Sequence, residues 1–141
     1  MKKIKLPPEK YRKILQCLNL EDVSLGNIQC NLERSEFDKE TNINISDRIS
    51  YKLEDDILNI YFKFNFKAIS KEKEKPALQM KANYILKYSV KGDCEITDEF
   101  FEIFKNTSVR FIIWPYFREF VYSMISRMNL PPLTLPMIKS S

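Results

Sequence analysis

Two adjacent carboxylate pairs, Asp55-Asp56 and Asp98-Glu99, are the residues of this 141-residue chain best suited to acid–base chemistry. Paired carboxylates can share proton donation and acceptance when both face one substrate. Adjacent side chains on an extended segment point to opposite faces, so neither pair is preset for that work. Asp55-Asp56 lies between two alternating apolar runs, where a turn uses such residues. Asp98-Glu99 follows Thr97, a good helix cap, and acids at a helix start meet its positive end. The chain has no histidine, which excludes a Ser-His-Asp triad and His-ligated zinc. Its only glycines are Gly26 and Gly92, too few for a phosphate-cradling loop. No catalytic residue, metal site or cofactor is expected.

Cys17, Cys30 and Cys94 are odd in number and widely spaced. They form neither a CxxC pair nor a disulfide framework, and are expected as small buried residues in a reducing cytoplasm. No run of about 18 apolar residues occurs, so no membrane insertion is expected. Met1-Lys2-Lys3, one short apolar step and Pro7-Pro8 do not read as a secretory leader. The net charge of +4 is mild and its signs are interspersed. Lys63, Lys67, Lys81, Lys87 and Lys91 nevertheless share one face of two strands, which offers an alternative reading as a basic nucleic-acid-binding module. Only Tyr61 could stack on bases there, so a solvated face that discourages sheet aggregation fits better.

The elements that position these residues read from the apolar periods. One domain is expected over 1–141. A helical segment occupies 1–17, with Pro8 opening a helix striped by Tyr11, Ile14, Leu15 and Leu18. Four strands occupy 18–91. The first slips phase near Asp22 and near Gly26-Asn27, suggesting bulges. The second carries Ile43, Ile45, Ile49, Tyr51 and Leu53, interrupted by Asp47. The third sets Leu58, Ile60, Phe62, Phe64, Phe66 and Ala68 on one side, and the fourth Leu78, Met80, Ala82, Tyr84, Leu86, Tyr88 and Val90. Helices and an apolar crossover fill 97–138. A short helix follows Thr97, Asn106-Thr107-Ser108 links onward, and the main helix has Pro115 in its first turn. Its apolar side is Tyr116, Phe117, Phe120, Val121, Met124, Ile125 and Met128. Asn129 provides a left-handed stop before Pro131-Pro132. One such helix and two short ones make a thin cover for a long apolar sheet face, so apolar surface should remain for self-association or a partner.

The run Trp114-Pro115-Tyr116-Phe117-Arg118-Glu119, then Met124, Ser126-Arg127, Leu130-Pro131 and Leu133-Thr134-Leu135-Pro136, resembles the carboxyl-terminal helix and crossover of the SecB protein-export chaperones. Asp22-Val23-Ser24-Leu25 resembles that family's first strand, and the match covers about residues 18–138. The resemblance implies an α+β fold, a four-stranded antiparallel sheet with helices packed on one face. It implies ATP-independent holding of unfolded or precursor polypeptides by a homo-oligomer, a dimer or dimer of dimers. Tyr51, Phe62, Phe64, Tyr84, Trp114, Phe117, Phe120, Met124, Met128, Leu133, Leu135 and Ile138 would then face clients or sister subunits. Phe117 stands where the family has a small residue, and Met128-Asn129 where a glycine usually breaks the helix. Members that engage the export ATPase are strongly acidic. At +4 this chain is not expected to bind it, and a dedicated client such as an antitoxin fits at least as well.

Overall fold

The computed structural model describes residues 6–38 and 40–131. The chain divides into two compact units, Leu20–Tyr88 and the combination of Met1–Asn19 with Ser89–Ser141.

Four strands run in sequence as β1 (Leu18–Leu32), β2 (Thr41–Glu54), β3 (Ile57–Ser70) and β4 (Leu78–Val90). They form one antiparallel sheet in the order β1-β4-β3-β2, so the long β1 and β2 are its two edges. The β2–β3 register runs unbroken from Thr41↔Ser70 to Glu54↔Ile57. Asp55 and Asp56 close that hairpin with φ of 50° and 62°. A two-residue hairpin turn with both φ values positive matches strand twist, and aspartate tolerates the left-handed region. The first carboxylate pair is therefore consumed by a turn.

The period of two in β3 and β4 becomes strict burial on one face. Leu58, Ile60, Phe62, Phe64 and Phe66 of β3 are buried, as are Leu78, Met80, Ala82, Tyr84, Leu86 and Tyr88 of β4. The segment between β1 and β2 must pass from one edge to the other, and hydrogen bonds fix its ends. Glu33 donates its N–H to the Ala77 carbonyl (2.8 Å), and Asp38 donates its N–H to the buried Ser70 hydroxyl (2.8 Å). Ser70 Oγ also lies 3.1 Å from Thr41 Oγ1, so this buried polar group is satisfied.

In the second unit, α1 (Pro8–Cys17) begins on Pro8 and runs straight into β1. Tyr11 packs on Phe100 with centroids 5.1 Å apart, and its hydroxyl lies 3.1 Å from Thr107 Oγ1. α2 (Asp98–Phe104) is capped by Thr97, whose hydroxyl accepts the Phe100 N–H at 3.1 Å. Replacing Thr97 with alanine should cost about 1 kcal/mol, measured as a shift in the urea midpoint at constant m-value.

Asn106-Thr107-Ser108 is not a link between separate helices, as its polar composition had suggested. Lys105–Val109 forms a π-turn that joins α2 to α3 (Arg110–Arg127) without a break. The same side chains that argued for a break hold the wider turn. Asn106 Nδ2 donates to the Glu102 carbonyl (2.9 Å) and Thr107 Oγ1 to the Ile103 carbonyl (2.8 Å), each four residues back. Pro115 consequently lies inside α3 rather than in a first turn. The helix end matches expectation. Asn129 has φ of 56°, its N–H donates to the Ser126 carbonyl (3.1 Å), and Leu130 N–H reaches the Ile125 carbonyl (3.2 Å). That paired bonding is a Schellman stop made by asparagine.

The expectation of three unpaired cysteines is corrected. Cys17, at the end of α1, and Cys94, ahead of α2, form a disulfide with Cα atoms 6.5 Å apart. They are 77 residues apart in sequence, and no spacing rule could have paired them. Cysteine usage therefore no longer argues for a reducing compartment. Cys30 is free, and burial pushes its thiol up, away from the thiolate a nucleophile needs.

Candidate functional site

The residues read from the sequence as an apolar working surface divide into three groups. Phe62, Phe64, Tyr84, Phe117 and Phe120 are buried within the single chain and are corrected: they are core rather than surface. In the sheet, the Phe62 and Phe64 rings stack at 4.4 Å, with Tyr84 edge-on to Phe64 at 6.1 Å. In α3, Phe117 sits between Trp114 (5.9 Å) and Phe120 (6.4 Å). Tyr51, Trp114, Met124 and Met128 are half-buried. Leu133, Leu135 and Ile138 lie outside the described residues.

The apolar side of α3 is the expected one, extended one turn back to Ile113 and without Tyr116. Ile113, Phe117, Phe120, Val121 and Ile125 are buried, at steps of three and four, while Tyr116 is exposed. Starting the helix at Pro115 had hidden the turn containing Ile113.

The exposed apolar surface lies largely elsewhere, on elements whose position the sequence does not disclose. Edge strand β1 exposes Leu20, Leu25 (45%) and Ile28 (51%). Edge strand β2 places Ile45, Ile49, Tyr51 and Leu53 directly opposite Phe66, Phe62, Ile60 and Leu58 of β3. Opposed residues share a face, so the apolar face that is buried along β3 and β4 continues onto β2. There it is only half-covered, and Ile43 and Leu53 are exposed. Asp47 interrupts the row opposite Phe64. On α3, Phe111, Tyr116 and Tyr122 (57%) are exposed. A strand's alternation gives its faces but not its place in the sheet, which is why the edges were missed.

Both carboxylate pairs serve local backbone structure. Asp55-Asp56 is the turn described above, and Asp98-Glu99 forms the first turn of α2. Among the described residues no three His, Cys, Asp or Glu side chains cluster to hold a metal. No helix among them is long and apolar enough to cross a membrane.

No protein-family model matches the chain. Over 47 residues it is 40% identical to the SecB-like chaperones Rv1957 and MT2006 of two Mycobacterium tuberculosis strains, H37Rv and CDC 1551. Those residues are 33% of this chain and only 26% of the relatives, so the chain matches about a quarter of their length. The structure of M. tuberculosis Rv1957, solved with a ChAD peptide from the Rv1956 HigA1 antitoxin, superposes with a TM-score of 0.80. The superposition covers 94% of this chain and 99% of that one, at 16% identity. The fold is that of a SecB-like chaperone. That fold is shared at low sequence identity, as expected when strand alternation and core volume rather than particular residues specify it. In this chain the two edge strands and α3 carry exposed apolar side chains.

Proposed function

We propose that this chain is an ATP-independent holdase that binds non-native polypeptide and works as a homodimer or homotetramer. The observation that carries the reading is apolar side chains left exposed along both sheet edges, where a strand also offers unpaired N–H and C=O groups. An extended client can add to such an edge through its main chain while apolar residues take its side chains. Main-chain pairing tolerates many sequences, as a binder of unfolded chains must. Tyr51 and the β2 row lie on such an edge, and Trp114, Met124 and Met128 supply adaptable half-buried surface on α3. A long exposed apolar edge is also a site of self-pairing, which supports a homo-oligomer.

A dedicated client of the antitoxin kind is favoured over the export route. The SecB-like structure that this fold matches holds an antitoxin peptide. Members that engage the family's export motor are strongly acidic, whereas this chain carries a net charge of +4. The reading is of a binding protein, not of a catalyst.

Light scattering of a chemically unfolded client, diluted into several-fold excess of the purified protein without nucleotide, tests the reading. Suppressed aggregation is the expected result. Full aggregation at that excess would overturn it.

A further inference from the structure

The face of the sheet opposite the apolar one carries a charge pattern that the holdase reading does not use. On β2 it presents Arg48 and Lys52, on β3 Lys63 and Lys67, and on β4 Lys81 and Lys87. The one acid on these alternate positions is Glu54, already paired with Lys52 at 2.9 Å. The whole chain is nearly balanced, with 23 basic and 19 acidic residues, so this face concentrates positive charge.

Arg48 and Lys63 form a row across neighbouring strands, and Lys81 lines the same depression. Arg48 lies directly opposite Lys63 in the β2–β3 register. Gln79 donates its side-chain amide to Asn65 at 3.2 Å, tying β4 to β3 beside this pair. No acidic side chain among the described residues pairs with any of the three. Directly opposed like charges weaken a sheet, so this row lowers the stability of the fold that carries it. Around it lies a depression of about 380 Å³ into which Ser46, Asn65 and Asn83 also open. Asp47 and Phe64 line it too, but their side chains alternate to the other face.

We propose that this depression is a docking site for an acidic polypeptide segment in extended conformation. Carboxylates on alternate residues of such a segment repeat at about 6.8 Å, the same-face spacing of a strand. Three cations would hold the carboxylates, and the hydroxyl and amide side chains beside them would bond the segment's main chain. A nucleic acid would want flat side chains to stack on, and no aromatic ring faces into the depression; Tyr61 is the only one on this face of β2, β3 and β4. The site lies on the face opposite the apolar row of β2, so its client would differ in chemistry from an unfolded chain.

Fluorescence anisotropy of the full-length protein with a labelled peptide of about 12 residues alternating Glu and Ser tests this. Binding is expected at low ionic strength and should weaken at least about tenfold near 0.15 M salt. Lys63→Glu should weaken binding by at least about tenfold while leaving the melting temperature unchanged or raised, because the introduced carboxylate would sit directly opposite Arg48. Arg48→Gln and Lys81→Gln should each weaken binding, and serve if the reversal perturbs folding. Absence of peptide binding at low salt, or binding untouched by these variants, would overturn the proposal. So would tighter binding of a thymidine oligonucleotide of equal charge at the same salt, which would mark the face as a nucleic-acid surface instead.

Discussion

Phe117→Ala should destabilise the fold by about 3–5 kcal/mol, read as a fall in the urea midpoint at unchanged m-value. The side chain is fully buried, at 0% exposure, in a stripe with Ile113, Phe120, Val121 and Ile125. Its ring is flanked by Trp114 and Phe120, so truncation removes ring contacts and leaves a void that helix backbone cannot collapse to fill. Domains of this size are stable by roughly 5–15 kcal/mol, so this one change would remove a large fraction. Tyr122→Ala, on the exposed side of the same helix, should stay within about 0.5 kcal/mol. The contrast separates two roles for the aromatic residues of α3. If Phe117 instead faced clients or a sister subunit, its truncation would cost less than about 1 kcal/mol in the monomer and appear as weakened association.

What could be read from the sequence follows from which physical signals are local. β3 and β4 alternate apolar and polar residues without a slip, because one face is buried along their whole length, and their extents were legible. Thr97, Asn129 and Asp55-Asp56 act within four residues of themselves, so cap, stop and turn were legible too. The failures concern competition or distance. Asn106, Thr107 and Ser108 can bond the backbone either to break a helix or to hold a wider turn, and composition does not choose between these. Pro115 suits a first turn, yet the π-turn before it lets the helix begin earlier. Burial of Phe62 against exposure of Leu25 and Ile28 depends on strand order, a long-range property that puts β1 and β2 outermost. The Cys17–Cys94 pairing spans 77 residues and is long-range in the same sense.

A double substitution on the β1 edge, Leu25→Glu with Ile28→Glu, should reduce the proposed homo-oligomer to a single 16.8 kDa chain. Both side chains are about half exposed, on a 15-residue edge strand whose outer main-chain groups have no strand partner in the sheet. Covering the exposed half of a leucine and an isoleucine contributes about 1 kcal/mol each to association. Placing two carboxylates in a two-fold interface adds like-charge repulsion, since the same patch faces itself and four carboxylates would gather there. Together these should weaken association by about 100-fold or more, some 3 kcal/mol. Folding should hold, because charge on a solvent-facing edge position is how sheets ordinarily discourage pairing. Light scattering across a dilution series gives the mass, and far-UV circular dichroism reports whether the strands persist. A wild-type protein already at 16.8 kDa would remove the basis for assembly through this edge. A variant that stays oligomeric would move the interface to β2 or α3. If the single chain still suppresses aggregation, client capture belongs to the half-covered apolar row of β2 rather than to β1.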